Sequence, residues 1–106
     1  SEQLAAKWLE SEGHRILERN WRTKYCEADI ISQKNGELYL IEVKHRRNSQ
    51  SGDGLAAITR QKEVQMRRAA QLYLVRESLQ ASIHLMVIAT SGEPSNMSID
   101  HCLELE

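Results

Sequence analysis

Apolar residues recur along this chain at two different spacings, and the changes between them mark its elements. Leu4, Ala5, Trp8 and Leu9 repeat at the i, i+1, i+4, i+5 interval of one helical face, leaving Glu2, Lys7, Glu10 and Glu12 for water. A helix is therefore predicted over residues 2–12. Gly13 follows where a chain leaving a helix often takes a positive φ, which costs glycine little. Strand composition then runs from His14 to about Arg22. A second strand is expected over Glu27–Gln33 and a third over Glu37–Lys44. Between these two lies Asn35-Gly36, and both residues tolerate the positive φ that a tight mirror-image hairpin turn requires. The third strand is apolar on both faces for most of its length, so it belongs at the centre of a sheet, covered by helices.

From His45 to Gly54 the composition changes to a polar, glycine-containing loop. A long helix is expected over residues 55–78, with Ile58, Val64, Ala69, Leu72 and Tyr73 inward and arginines outside. Residues 82–90 return to strand composition, a turn falls at Ser91-Gly92-Glu93-Pro94, and a short last strand covers about Met97–Leu103. The order is helix, three strands, long helix, strand and a weak last strand. This is an α/β pattern with a mixed central sheet flanked by helices. One domain, residues 1–104, is expected, with Leu105-Glu106 read as a vector-derived tail.

Composition narrows the classes available. With 106 residues, 41% hydrophobic, the chain can build one small core, and a net charge of −1 argues against intrinsic disorder. The longest apolar run, Leu85–Ala89, is far below the ~20 residues that cross a bilayer. Ser1-Glu2-Gln3 leads into an amphipathic pattern, not a signal peptide. Cys26 and Cys102 stand alone, against a disulfide framework or a cysteine-based zinc site. A cytoplasmic protein without membrane association is the expectation. The near-zero net charge hides a polarity: residues 44–68 hold seven positive and two negative side chains, a local +5. An excess of that size attracts polyanions.

The residues that carry chemistry are charges in places that resist them. Glu42 and Lys44 end the most apolar strand two apart, and Glu27 and Asp29 begin the preceding strand at the same spacing, so each pair shares a face. If Asn35-Gly36 closes a two-residue hairpin, Asp29 faces Glu42 and Glu27 faces Lys44. Three carboxylates and one ammonium then crowd together. Crowded carboxylates repel, and burial adds a further cost that Lys44 only partly offsets. A divalent ion removes the difficulty, and hard carboxylate oxygens suit Mg²⁺ or Mn²⁺ better than zinc. The competing reading is a salt-bridged, solvent-facing sheet edge.

Asp29 followed by Ile41-Glu42-Val43-Lys44 resembles the PD-(D/E)xK signature of restriction-endonuclease-like nucleases. Together with Asn20-Trp21-Arg22, Glu27-Ala28-Asp29-Ile30-Ile31 and Lys62, it is similar to the YraN family of small bacterial proteins, itself similar in fold to archaeal Holliday-junction resolvases. The resemblance implies a restriction-endonuclease-like αβββαβ core. It also implies Asp29, Glu42 and the Val43 backbone carbonyl as metal ligands, with weakly bound Mg²⁺ or Mn²⁺. Lys44 would orient the attacking water and stabilise charge on the phosphorane. Glu27 lies beside these residues, and Glu2 matches an auxiliary acidic position on the first helix. Ile83-His84 stands where the family usually has Phe-Asp.

The expected function is metal-dependent hydrolysis of DNA phosphodiesters, on branched or otherwise structured DNA. Arg46, Arg47, Lys62, Arg67 and Arg68 would grip the backbone without regard to sequence. Symmetric cutting of a four-way junction would require a homodimer. Two alternatives use the same residues: a catalytically silent nucleic-acid-binding module, and a protein-interaction domain whose acidic cluster is structural. Trp8 reads as core, and Trp21 and Tyr25 read as packing ahead of base stacking. His14, His84 and His101 have no partners at metal-ligand spacing and read as structural or exposed.

Overall fold

A computed structural model of the chain describes residues 1–46 and 58–105. Helix α1 (Glu2–Ser11) leads to strands β1 (Arg15–Arg22), β2 (Glu27–Lys34) and β3 (Glu37–Arg46). Helix α2 (Arg60–Arg76) then precedes β4 (Ile83–Glu93) and β5 (Asn96–Leu105). The strands lie in the order β1-β2-β3-β4-β5, with β3 and β4 parallel and the other neighbours antiparallel. This is the mixed α/β sheet expected, and it is compatible with a restriction-endonuclease-like core.

Side-chain alternation along the strands fills two cores. On one face Ala5, Ala6 and Leu9 of α1 pack on Ile30, Ile41 and Ile88. On the other, Met66, Ala69, Ala70 and Tyr73 of α2 pack on Ile31, Leu38, Leu40 and Leu85. β3 supplies both: Leu38, Leu40 and Ile41 are wholly buried, each worth about 1.5–3 kcal/mol in transfer free energy. Asn35 (φ 54) and Gly36 (φ 78) make the expected turn, and the β2–β3 ladder runs from Lys34↔Glu37 to Ile30↔Ile41. Among the described residues no helix is long and apolar enough to cross a membrane.

Several boundaries differ from those read in the sequence. β3 continues through His45 and Arg46, because pairing with Thr90 and Ser91 of β4 satisfies backbone that composition alone assigned to a loop. α2 starts at Arg60, where the extended Thr59 accepts the Lys62 N–H on its hydroxyl at 3.1 Å and caps the helix. Ile58 therefore precedes the helix, Val64 is exposed, and Met66 and Ala70 take the inward places. Residues 47–57, with most of the expected loop, the helical start at 55–57 and Arg47, lie outside the described residues. β4 runs to Glu93, which moves the turn to Pro94-Ser95. β5 is ten residues long, and its Leu105 pairs with Leu85 and packs on the α2-side core.

His84 shows why a lone histidine was hard to place. Its Nδ1 lies 2.6 Å from a Glu104 carboxylate oxygen and its Nε2 2.7 Å from one of Glu37, while the ring stacks on Tyr39. The Glu104 and Glu37 hydrogen bonds raise its pKa above 6.5 despite burial. The protonated ring is thus favoured in the fold. That stabilisation is complete below the unfolded value and is lost as pH rises through the elevated folded one. Thermal melts are expected to show a larger penalty for His84→Gln at pH 6 than at pH 9.

Glycine substitutions separate two further constraints. A Cβ at Gly36 would meet nothing within 4 Å, so Gly36→Ala carries only the positive-φ cost, about 1–2 kcal/mol. At Gly92 (φ 108) a Cβ would lie 2.3 Å from the Asn96 carbonyl oxygen. Urea unfolding should therefore show Gly92→Ala to be the more destabilising of the two.

Candidate active site

The site forms where β2 and β3 part. Ala28 packs in the α2-side core and Ile30 in the α1-side core, although two residues apart on a strand should share a face. Asn20 of β1, between Arg19 and Trp21 and so across from Asp29, has φ 52. This local twist breaks the alternation and leaves Asp29 aimed across at β3. Its Oδ2 accepts the Val43 N–H at 2.7 Å, a donor that a continued ladder would have used. The side chain thereby replaces the backbone as the link between the strands at the point where the ladder ends.

Beyond Ile41, Glu42 lies on the α2 side of β3, half-buried, with a side chain 13% exposed. Its Oε1 is 3.7 Å from Lys44 Nζ and 3.6 Å from Lys62 Nζ. Even so, its carboxyl pKa is raised above 4.5. Burial is the largest cause and the Asp29 charge adds to it, while Lys62 and Lys44 oppose them and lose. The arrangement therefore holds two neighbouring carboxylates and two amines at one end of the sheet, at a net electrostatic cost to Glu42.

Other expected site residues go elsewhere. Glu27 does not face Lys44: the β2–β3 register stops at Ile30↔Ile41, and Glu27 pairs with Arg22 of β1, its side chain 66% exposed and 3.9 Å from the Arg22 guanidinium. The expected three-carboxylate cluster is thus a pair. Among the described residues no group of three or more His, Cys, Asp or Glu side chains converges as a metal site. Glu2 lies in the first turn of α1 and makes no ion pair among the described residues. Arg46 is not free for a polyanion. A bulge between Ala89 and Thr90 gives β5 an extra residue, Asp100, which accepts from Arg46 at 3.4 Å and from Ser91 at 2.9 Å. The Arg46 side chain is only 10% exposed there. Arg67 and Arg68 are exposed on α2, and Lys62 stands at its first turn beside Glu42.

The aromatic residues also divide. Trp21 packs on the α2-side core, its ring edge-on to Tyr73 at 5.5 Å. Tyr25 does not pack, being 83% exposed in the β1–β2 turn. A two-carboxylate donor set of hard oxygens fits Mg²⁺ or Mn²⁺, which take one or two carboxylates with waters and phosphate. It does not fit a closed zinc site.

Fold and site together describe a small mixed-sheet α/β protein that gathers Asp29, Glu42, Lys44 and Lys62 where its hairpin strands diverge. The chain belongs to the uncharacterised protein family UPF0102, whose model matches residues 1–90. It is 41% identical over 73 residues to a UPF0102 protein of Syntrophomonas wolfei, covering 69% of this chain and 64% of the relative. A UPF0102 protein of Chlorobium chlorochromatii is 38% identical across 94% of this chain and 82% of its own length. One from Bacteroides thetaiotaomicron is 34% identical across 97% and 85%.

A raised folded pKa makes ionised Glu42 a net cost at neutral pH. Glu42→Gln is therefore expected to hold or raise the melting temperature at pH 7, with the gain fading below about pH 4.5, where the carboxyl is protonated in both states. A marked fall at pH 7 would mean that the two lysine pairs outweigh burial.

Proposed function

We propose that this protein is a metal-dependent nuclease that hydrolyses DNA phosphodiester bonds, with Asp29 and Glu42 as ligands of Mg²⁺ or Mn²⁺. The Val43 carbonyl, on the residue between Glu42 and Lys44, is the proposed third oxygen. The observation that carries the reading is the convergence of Asp29 and Glu42 at a partly desolvated point where Glu42 resists ionisation. Evolution of a purely structural edge has no need of that cost, whereas a divalent cation between the two carboxylates converts it into attraction. When bound, the ion would lower the pKa of water and neutralise charge on the phosphate.

The chain's own residues supply the rest. Asp29 is held rigidly by the Val43 N–H. Lys44, on the same strand as Glu42, is placed to orient the attacking water and to stabilise charge on a non-bridging oxygen. Lys62 is held by the Thr59-capped first turn of α2 and reaches the same Glu42 oxygen as Lys44, where it can grip the same phosphate. Arg67 and Arg68 extend positive charge along the exposed side of α2. The pairing of Glu42 Oε1 with both lysines also supports a second reading, a nucleic-acid-binding module without turnover.

Labelled linear, branched and single-stranded DNA and RNA, incubated with Mg²⁺ or Mn²⁺, separate the two. The nuclease reading expects cutting of at least one DNA substrate, reduced about a hundredfold or more by Asp29→Ala, Glu42→Ala or Lys44→Ala. Salt-sensitive binding that survives Asp29→Ala, with no cutting of any substrate, supports the silent module instead.

A further inference from the structure

A cleft of about 280 Å³ opens between the β1–β2 turn and α2, beside the carboxylate pair. Arg22, Lys24, Tyr25, Lys62, Gln65 and Met66 line it. Lys62 belongs to both places, since its Nζ also reaches Glu42. We propose that this cleft binds one unpaired nucleotide, its base on the Tyr25 ring and its flanking phosphates on Arg22 and Lys24, so that single-stranded nucleic acid is led to the carboxylates. The inference rests on the nuclease reading only in taking nucleic acid as the partner.

Three observations support it. Tyr25 is 83% exposed, so folding gains little from its ring, and Lys24 Nζ lies 5.5 Å from the ring centroid, placing charge and aromatic surface together. The turn that carries them is ordered by its own hydrogen bonds. Thr23 N–H donates to the Cys26 carbonyl at 2.8 Å, and Thr23 Oγ1 accepts from the Tyr25 and Cys26 N–H groups at 3.2 and 3.0 Å. The backbone beneath the ring is thus ordered before binding and need not be ordered by it. Finally, among the described residues that line the cleft, Arg22, Lys24 and Lys62 outnumber the one acid, Glu27, which already lies beside Arg22.

The geometry also selects the form of the strand. Bases in a duplex have both faces covered by their neighbours, so the exposed Tyr25 ring at the rim of the cleft can stack on a base only after unstacking. A charged groove without an aromatic would grip either form through phosphates alone. Tyr25 is thus the specificity element and the cations the general grip. The shared chemistry is a single-stranded base with its phosphates, in DNA or RNA.

Anisotropy titration of fluorescein-labelled dT12 with the full chain, in a chelating buffer that prevents cleavage, tests the proposal. Tyr25→Ala is expected to weaken binding about 5- to 100-fold, while Tyr25→Trp retains it. Arg22→Ala and Lys24→Ala should each lower the salt dependence by about one phosphate contact. An abasic dodecamer should bind the wild type about as weakly as dT12 binds Tyr25→Ala. rU12 with the same Tyr25 dependence supports the site and extends it to RNA. Unchanged affinity in Tyr25→Ala, equal binding of the abasic strand, or a blunt duplex with the same Tyr25 dependence would overturn it. Tyr25-dependent binding alongside a complete lack of cutting would remove the nuclease reading and leave this one standing.

Discussion

Burial of β3 on both faces is the constraint around which the molecule is arranged. Leu38 and Leu40 take the α2 side and Ile41 the α1 side, so neither helix can leave without exposing the central strand. Parallel pairing with β4 needs a crossover, and α2 follows β3 and precedes β4 to meet that need. The same strand then carries Glu42 and Lys44 out of the apolar region at its far end. A site built on so confined a strand has its positions set by the core, not by loop conformation.

Where β3 leaves the core, local consistency gives way. The ladder stops, an asparagine in β1 takes a positive φ, a carboxylate accepts a backbone N–H, and a second carboxylate is held half-buried against its preference for water. The positive φ and the half-buried Glu42 carboxylate cost stability, the Asp29 bond gives the Val43 N–H the partner the ladder no longer supplies, and all fall at one end of the sheet. Concentrated conflict of this kind is what a functional site produces. A further ion pair with little exposure, Arg46 with Asp100, has a different character: Ser91 supports it, and it joins β5 to the end of β3. Its role is to fasten the edge strand.

A large share of the architecture was legible in advance. The Asn35-Gly36 turn set the β2–β3 register, and the unbroken apolar run marked the central strand, because both depend on local φ preference and period. That register, carried one step further, predicted Asp29 opposite Glu42; the ladder ends at Ile30↔Ile41, and the two carboxylates are neighbours across the point where it stops. Arg46 was misplaced because a basic residue beside a polar stretch looks solvated, and its partner lies 54 positions away across a bulge. Glu27 was misplaced because the register was extended past the point where Asp29 takes over the Val43 N–H. β5 looked short because an edge strand, exposed at most positions, needs little apolar alternation to pair.

Sequence alone determined the turn, the two-sided central strand, the chain order of helices and strands, and which short acidic and basic motifs stand at the strand ends. These follow from torsional preference and hydrophobic period over a few residues. Tertiary structure decided which charges meet. It drew Lys62 to Glu42, sent Arg46 inward to Asp100, turned Glu27 toward Arg22, and left Tyr25 outside the core. Charge pairing depends on separations of a few ångströms between distant segments, and desolvation on everything packed around them. Neither quantity exists until the sheet and its helices have closed.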